Sequence, residues 1–456
     1  MCLFGGVRYI DSPCPANVWR LDAGALPMIS SMQINGIRLD CPFLHSLTSR
    51  ILSRQSEIVS LVSSHIGAYQ YSHPSHGLTP FSIGSRDHLS QLLFEHLQIQ
   101  GHGPIEKTPT GKRYVVSEDS LAPFKCSHPI VPLIIEWHSI DKLRTTYTEP
   151  LPRLVDSDSR IHTHFNVTVA ATGRLSSSSP NLQNIPIRTP LGREVRRAFI
   201  ASPGCYLVSG DESQIEMRWA AHGSRDPIMI EVFNRGEDIH AKTACGVFGR
   251  DYNDVMSWDQ NSEKFKRWKK EERAPSKNLG FGVLYGLTAE GLQRNILTES
   301  EGEIYWPVEK CQTFINQFFT MYPALRELME TQYRRARRYG MVWDAFGRVR
   351  LVPEAKSCHR KISNEGERKA GNHYEQSSAQ GTVKLAMAQM SPVVEDIAKS
   401  YKCLSLLQIH DQLIFDVDKR IAEEFSMILQ GELEHASPLV VPTLSSRDIA
   451  ETWVDL

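Results

Sequence analysis

A stripe of four large functional side chains between residues 273 and 285 constrains this chain most. The stretch reads R-A-P-S-K-N-L-G-F-G-V-L-Y-G, and Arg273, Lys277, Phe281 and Tyr285 recur at every fourth position. Residues four apart lie on one face of an α-helix, so the spacing predicts a helix that presents two cations and then two rings over about 18 Å. A nucleoside triphosphate laid along it would meet the cations with its phosphates. The alternative is an ordinary amphipathic helix with a charged edge.

Glycines within the stripe favour the nucleotide-binding interpretation. Gly280, Gly282 and Gly286 lower helix propensity, so something other than helix stability selects them, such as the close approach of a base. Pro275 suits the first turn of a helix. The pattern R-x-x-x-K-x-x-x-F-G-x-x-Y-G resembles the nucleotide-binding fingers helix of the family A DNA polymerases. The resemblance implies that all four stripe residues bind the incoming nucleotide.

Length and composition limit the kind of protein. A chain of 456 residues is too long for one core and predicts two to four subdomains. No apolar run reaches the length of a membrane span, so we expect no membrane association. Nine cysteines without a C-x-x-C pair indicate free thiols in a reducing compartment, here the cytoplasm of a bacterial cell or of a phage-infected host.

The net charge of −1 argues against a uniformly basic nucleic-acid binder, so any nucleic-acid contact must lie in a locally basic cleft. Two clusters could serve, at Lys264–Lys270 (K-F-K-R-W-K-K) and Arg334–Arg338 (R-R-A-R-R). Either could equally be a solvated helix face.

Helical periodicity in the first third of the chain predicts an elongated helical subdomain. It runs from about residue 26 to 64, interrupted at Asn35 and Gly36, and returns over 81–97 and 133–147. This part resembles the family's thumb, whose signature pieces K-T-P-T-G-K and K-L-R-T-T-Y are similar to 107–112 and 142–147. The resemblance implies a helix-rich α+β right-hand polymerase with an antiparallel palm sheet. Its predicted divisions are a lead-in (1–22), thumb (23–155), first palm part (156–225), fingers (226–365) and second palm part (366–456).

A polar stretch from residue 171 to 199 carries amide and guanidinium side chains suited to phosphates and minor-groove acceptors. A surface loop with incidental arginines is the alternative. The segment T-G-R-L-S-S-S-S-P-N-L-Q-N-I-P resembles a family motif almost completely. The resemblance implies that Arg174 reads the minor groove at the primer terminus and that Arg188 helps to hold the incoming phosphates. Asn181, Gln183 and Asn184 would line the template–primer duplex.

Two separated carboxylates predict a metal site. Asp211 and Glu212 follow an apolar strand-like run, and Asp411 stands at the tip of a predicted hairpin. Two-metal phosphoryl transfer needs carboxylates able to hold two ions roughly 3.5–4 Å apart, and Mg²⁺ takes few carboxylates besides water and phosphates. Alone, each residue would more often be a cap or turn residue. The flanking S-Q-I-E-M-R and Q-I-H-D resemble the family's two metal motifs, which imply two Mg²⁺ ions, with Mn²⁺ able to substitute.

This chain departs from the family pattern at two positions beside those carboxylates. It has Glu212 where relatives usually have Tyr, and Gln412 where they usually have Glu. If position 212 contributes its backbone carbonyl to a metal, as the resemblance implies, the first change is mild. We expect position 412 to be peripheral, so that Asp211 and Asp411 suffice, with Glu212 restoring the missing charge.

The resemblance assigns further nucleotide contacts. Glu216 would pack against the sugar and block a 2′-hydroxyl, which implies a preference for deoxynucleotides; a buried salt-bridge partner is the alternative. Phe281, rather than Tyr, implies discrimination against dideoxynucleotides. His240, in D-I-H, would contact the triphosphate, and Gln214 joins the same set. Lys277 is the candidate general acid for the leaving pyrophosphate.

The stretch E-R-K-A-G-N-H-Y-E-Q at 367–376 resembles the element that follows the fingers. It implies template and duplex contacts by Arg368, Asn372 and Gln376, although Tyr374 and Glu375 replace the family's proline. Gln408 and His410 would lie under the primer end.

Together these features predict a template-directed DNA polymerase that extends a primer on primer–template DNA with dNTPs. Only residues 1–22 precede the thumb-like part and they carry no carboxylate-rich exonuclease motif, so we expect no 3′–5′ proofreading. We expect a monomer, with a separate exonuclease or processivity factor as further candidate partners. A single-subunit RNA polymerase is one alternative, against which Glu216 argues. A non-catalytic duplex-binding subunit is another, against which Asp211, Asp411 and Lys277 argue.

Overall fold

Helices carry most of the chain, with small antiparallel sheets among them. The computed structural model describes residues 6–101, 105–187, 189–300 and 303–456. The α-helices are α1 (Pro15–Asn35), α2 (Cys41–Ile66), α3 (Arg86–Ser90), α4 (Glu118–Leu121), α5 (Ile130–Leu143), α6 (Pro190–Arg197), α7 (Ile215–Ser224), α8 (Pro227–Asn234), α9 (Ile239–Phe248), α10 (Tyr252–Ser257), α11 (Glu263–Trp268), α12 (Ala274–Leu284), α13 (Ala289–Glu299), α14 (Val308–Met321), α15 (Pro323–Tyr339), α16 (Arg360–Gly371), α17 (His373–Ile397) and α18 (Ala422–His435). The strands are β1 (Ile37–Leu39), β2 (Gln70–His73), β3 (Gly77–Pro80), β4 (Arg160–Ile161), β5 (His164–Asn166), β6 (Ser176–Ser178), β7 (Phe199–Ile200), β8 (Cys205–Glu212), β9 (Met341–Trp343), β10 (Val349–Leu351), β11 (Cys403–Ile409), β12 (Gln412–Asp418) and β13 (Ser445–Ala450).

The sheet that positions the predicted metal site has four antiparallel strands in the order β11-β12-β8-β13. We call it the palm sheet. Helix α18 packs closely on one of its faces: a Cβ at Gly210 in β8 would collide with Leu433 and come within 3.0 Å of Leu429. Helix α18 therefore lies directly on β8, the strand that carries Asp211, and this close packing favours a glycine at position 210.

The predicted hairpin around the second carboxylate is present. β11 and β12 pair from Cys403↔Val417 to Ile409↔Gln412, and only His410 and Asp411 form the turn between them. His410 has a φ of 57°, which a two-residue hairpin turn requires. The buried apolar residues of both strands hold this tip in place.

Helix α1 begins earlier than the sequence pattern indicates. The first 20 residues show little apolar periodicity, yet α1 starts at Pro15 and runs across the predicted boundary at residue 22. The reason is a polar residue in an inward position: the buried Asn17 amide donates to the carbonyls of Arg8 and Phe346, each at 2.8 Å. The predicted boundary at residue 365 likewise falls inside a helix, α16.

The predicted nucleotide-binding stripe spans more than one helical segment. Residues 269–273 form a wide π-turn between α11 and α12, so Arg273 precedes α12, and Tyr285 lies in the turn that closes it. Pro275 is in the first turn of α12, as predicted.

Two large hydrophobic clusters form the interior. One includes Phe199 and Phe415 and lies under the thumb-like helices and the palm sheet; the other includes Phe314 and Tyr322 and lies among α7 to α15. Among the helices that the structure describes, none has both the length and the apolar character to cross a lipid bilayer.

Candidate active site

The two predicted metal carboxylates stand at neighbouring strand ends of the palm sheet. Asp211 in β8 is opposite Gln412 in β12, the residue after Asp411. The backbone N–H of Glu212 donates to the carbonyl of Asp411 at 3.3 Å. The antiparallel pairing therefore brings together residues that are 200 positions apart in the chain.

Burial and nearby charge act on both carboxylates. Burial, and then the charge of Glu216, raises the pKa of Asp411 to about 7, while the Arg174 guanidinium opposes this. Burial and the charge of Asp448 raise the pKa of Asp211. At Asp411, burial and like charge thus outweigh the opposing charge of Arg174.

The residues present fit a pair of divalent ions. The Oδ1 atom of Asp411 is buried without a hydrogen-bond partner among the described residues. Asp211 keeps solvent-accessible surface, although its carboxyl group is partly desolvated by the surrounding protein. Across the described ranges, no three His, Cys, Asp or Glu side chains converge on one metal position. Mg²⁺ is commonly held by one or two carboxylates with substrate phosphates completing its shell, so this donor set suits it.

The carboxylate of Glu212 lies on the other face of the palm sheet. Successive strand residues point to opposite faces, and Glu212 is buried where Asp211 is exposed. Both Glu212 carboxylate oxygens are without a hydrogen-bond partner in the described part of the chain. Burial, with repulsion from Asp411 and Asp211, raises the pKa of Glu212 well above its usual value, which favours the neutral acid. This geometry argues against the expectation that Glu212 restores the missing charge.

Glu216 joins the palm to the end of the stripe. Its Oε2 accepts a hydrogen bond from the Tyr285 hydroxyl at 2.5 Å, and its Oε1 is 2.6 Å from the Arg174 guanidinium. Glu216 is only 5% exposed. Burial and the neighbouring Glu216 charge raise the pKa of the Tyr285 phenol. Arg174 and Tyr285 thus meet at the carboxylate of Glu216, and all three are predicted site residues. Glu216 is also a buried salt-bridge partner, as the alternative interpretation of this residue expected.

The cationic end of the stripe is fixed by a second carboxylate. Arg273 donates to one oxygen of Asp238 through two nitrogens, at 2.8 and 2.5 Å. The other Asp238 oxygen caps α9 by accepting from the N–H groups of His240 and Ala241. This places the first turn of α9, which contains His240, against the stripe.

His240 packs beside the stripe. A Cβ at Gly280 would make ordinary van der Waals contact with the His240 ring at 3.5 Å, so the ring lies directly beside this turn of α12. Burial lowers the pKa of His240 to about 4, helped by the charges of Arg273 and Lys277. The Lys277 side chain is exposed.

For three residues of the predicted nucleotide site, the structure gives less detail. Gln214 precedes α7 with a left-handed φ of 55°. Arg188 and the side chain of Phe281 lie outside the described residues, so their assigned roles stay predictions.

A cleft of about 750 Å³ lies beside the hairpin tip and gathers the predicted duplex-binding residues. Asn181, Gln183, Asn184 and His410 line it, together with Lys142 from the thumb-like part. Gln183 donates to both the carbonyl and the side-chain oxygen of Gln408 at 3.0 Å, which explains why Gln408 is buried.

The remaining predicted DNA-binding residues flank the break between α16 and α17. Asn372 accepts a hydrogen bond from Arg350 at 3.1 Å, and Gln376 is half-buried in the first turns of α17. A Cβ at Gly286 would lie 2.5 Å from the Arg368 side chain, and Gly286 has a φ of 67°. Arg368 therefore contacts the end of the stripe.

Comparison with known proteins decides the family. The family model described as DNA polymerase family A matches residues 53–455. This chain belongs to DNA polymerase family A. It is 36% identical to the thermostable DNA polymerase I of Thermus aquaticus over 94% of this chain and 47% of that protein. It is 34% identical to DNA polymerase I of Deinococcus radiodurans over 94% of this chain and 41% of that protein.

A solved structure has the same fold. The POL domain of Pol1 from M. smegmatis, in complex with DNA primer-template and dNTP, has a TM-score of 0.82 and 30% identity, and the match covers 96% of this chain and 72% of that one. The predicted helix-rich α+β right-hand fold is confirmed. The chain spans about half the length of the curated relatives that it matches.

The two basic clusters of this family A chain are largely neutralised by acidic partners. Six of their cations form salt bridges, which are Lys266–Glu263, Arg267–Glu271, Lys270–Glu303, Arg334–Glu327, Arg335–Asp11 and Arg337–Glu367. This pairing favours the solvated-face interpretation of both clusters.

Sequence reasoning missed three acidic residues around the site. Asp238 could have been found as an Asp directly before a helical run, the usual N-cap signal. Glu375 stood at a departure from the family pattern; its carboxylate oxygens are buried without a hydrogen-bond partner among the described residues, and burial raises its pKa to about 8. Asp448 had no signal, because only strand pairing brings it near Asp211.

Proposed function

We propose that this chain is a template-directed DNA polymerase that adds deoxynucleotides to a primer 3′ end by two-metal phosphoryl transfer. The contact between Tyr285 and Glu216 carries the proposal, because it joins the last residue of the predicted stripe to the helix that follows Asp211. Family membership supports the same activity.

The stripe would bind the triphosphate. Arg273, held by Asp238, and the exposed Lys277 offer positive charge one helical turn apart. A guanidinium fixed by two hydrogen bonds needs little reorganisation to meet phosphate oxygens. The His240 ring beside Gly280 would donate a hydrogen bond as a neutral imidazole, since its pKa is low.

Asp211 and Asp411 would hold the divalent ions, with the backbone carbonyl of Glu212 as a further ligand. When bound, the ions activate the primer 3′-hydroxyl and stabilise the charge of the leaving pyrophosphate. Lys277 would donate a proton to that leaving group, which is the role of a general acid.

Selection of the sugar would fall to Glu216. Its buried carboxylate is held in one position by Arg174 and Tyr285, so it forms a fixed wall rather than a mobile side chain. A ribose 2′-hydroxyl would need the space that this side chain fills, whereas a deoxyribose would not.

The duplex would lie in the cleft lined by Asn181, Gln183, Asn184 and His410. Arg368, Asn372 and Gln376 would contact the template strand, and Gln408 would support the primer end. The predicted thumb, palm and fingers divisions are part of this proposal, with α1 and α16 crossing two of the boundaries.

We also propose that these 456 residues do not remove mismatched ends. Residues 1–22 carry no carboxylate-rich motif of the kind that a 3′–5′ exonuclease site needs to hold its metal ions.

Single-nucleotide extension on primed templates tests the proposal. With Mg²⁺, each of four templates that differ only in the first unpaired base should direct incorporation of its complementary dNTP, and NTPs should be used poorly. A primer with a labelled mismatched 3′ nucleotide should keep its label. Incorporation that ignores the template base would overturn template direction, and preference for NTPs would overturn the use of deoxynucleotides. Loss of the label would show that the chain removes mismatched ends.

A further inference from the structure

The edge strand β13 carries a carboxylate, Asp448, that the site described above does not use. In the pairing of β13 with β8, Ser446 is opposite Asp211 and Asp448 is opposite Ser209. On the other side of β8, Gln412 is opposite Asp211. Directly opposed residues of antiparallel strands share a face, so Asp448, Asp211 and Gln412 lie on one face of the palm sheet.

Contacts on the other face support this orientation. Arg447 donates to Glu423 in α18 at 2.7 Å. Its β8 partner is Gly210, which packs against Leu433 of the same helix. Because successive strand residues alternate, Asp448 points away from α18, toward the side of the sheet that holds Asp211.

Asp448 lies close to Asp211, and its carboxylate has no hydrogen-bond or salt-bridge partner among the described residues. Diagonal neighbours of an antiparallel pair lie about 7–8 Å apart, which is the relation of Asp448 to Asp211. Asp448 is half-buried, and no salt bridge or hydrogen bond joins its side chain to any residue in the described ranges. The Gln412 amide donates to the hydroxyl of Ser209, the residue opposite Asp448, at 3.2 Å.

We propose that Asp448 supplies the negative charge that Gln412 lacks on this face of the palm sheet, as a positioning residue for the hydrated ions at Asp211. The inference rests on the proposed function. Direct ligation is not part of it, because no three acidic side chains in the described part of the chain converge on one metal position. A carboxylate one residue pair away attracts the cation and orients its bound water, as outer partners of metal sites do.

Manganese binding tests the proposal without turnover. The probe is Mn²⁺, titrated by electron paramagnetic resonance into the complex of the protein with a dideoxy-terminated primer–template and the next dNTP. Asp448→Asn should weaken Mn²⁺ binding about tenfold, at the lower end of the effect of outer metal partners. The Mg²⁺ concentration for half-maximal extension should rise by a similar factor. Adding Gln412→Glu to Asp448→Asn should return both values toward the wild type.

Glu451→Gln is the matched control, since Glu451 follows the same strand and forms a salt bridge with Lys419 at 2.8 Å. It should leave both values unchanged. Unchanged Mn²⁺ binding in Asp448→Asn, or no recovery with Gln412→Glu, overturns the inference. A wild type that binds the duplex but extends no primer overturns the proposed function instead, and the Mn²⁺ titration still decides the role of Asp448.

Discussion

The Tyr285 hydroxyl donates to the Glu216 carboxylate over 2.5 Å, joining the last turn of the α12 region to α7. The Arg174 guanidinium holds the other oxygen of the same carboxylate at 2.6 Å. This three-residue contact links the predicted nucleotide stripe, the polar stretch from residue 171 to 199 and helix α7. Changes at Glu216 should therefore affect sugar selection before they affect metal binding.

Glu216→Ala should raise the use of NTPs relative to dNTPs, because it removes the wall against the 2′-hydroxyl. A packing contact of this size is worth about 10- to 200-fold in discrimination. The measurement is the ratio of kcat/KM for a matched dNTP and NTP in single-nucleotide extension. Tyr285→Phe, which removes the hydrogen bond but keeps the ring, should change the ratio less. An unchanged ratio in Glu216→Ala would show that another residue selects the sugar.

Lys277→Ala should lower kcat by about 10²- to 10⁴-fold, as expected for the loss of a general acid. Lys270→Ala is the control, since Lys270 lies on the same helical run but pairs with Glu303. Single-turnover extension with saturating dNTP separates a loss of proton transfer from a loss of nucleotide binding. If the loss in Lys277→Ala disappears at saturating dNTP, Lys277 binds phosphate without transferring a proton.

Glu375 should make stability depend on pH. Burial raises its pKa to about 8 from an ordinary 4.5. Between these two pH values the folded state keeps a proton that the unfolded state has lost. Stability therefore falls as pH rises from 4.5 to 8, by about 1.4 kcal/mol for each pKa unit as an upper estimate.

Glu375→Gln, which is neutral at every pH, should melt close to the wild type at pH 5 and above it at pH 8. Thermal melting at both values measures this, with the exposed Glu395→Gln on the same helix as control. A variant whose melting difference from the wild type is the same at both pH values would mean that Glu375 does not titrate in this range.

Returning positions 212 and 412 to the family pattern should change turnover little. Glu212 has its carboxylate on the opposite face from Asp211, and Gln412 is bonded to Ser209 rather than to either metal carboxylate. Gln412→Glu in a Glu212→Tyr background should extend primers within a few-fold of the wild-type rate. A collapse of extension in a folded double variant would show that these positions are essential to the site.

Local sequence patterns predicted the elements whose spacing repeats. The hairpin around Asp411 follows from a two-residue period and is present. The four-residue period from Arg273 to Tyr285 predicted one helix, of which α12 covers Ala274–Leu284 and leaves both end residues outside. The start of α1 was wrong because Asn17 takes an inward position and breaks the apolar pattern. Apolar periodicity does not identify a buried polar residue whose hydrogen-bond partners are carbonyls far away in the sequence.

Contacts between distant segments were beyond the sequence. The pairing of Arg273 with Asp238, the burial of Glu375 and the place of Asp448 beside Asp211 depend on how helices and strands pack. The charge of the basic clusters was likewise visible, whereas the partners that neutralise them were not. The predicted site residues that meet at Glu216 were identified by family motifs rather than by local spacing.

Primer extension by the wild type and by Asp411→Asn, with duplex binding measured on the same samples, tests whether the Asp411 carboxylate is needed for catalysis. The substitution keeps the shape of the hairpin tip but removes a carboxylate that would hold the ions. We expect extension by the wild type and a loss of about a thousandfold in the variant, with duplex binding retained. Extension by Asp411→Asn near the wild-type rate would contradict this expectation. So would a wild type that binds the duplex and never extends the primer, which is the behaviour of a binding subunit.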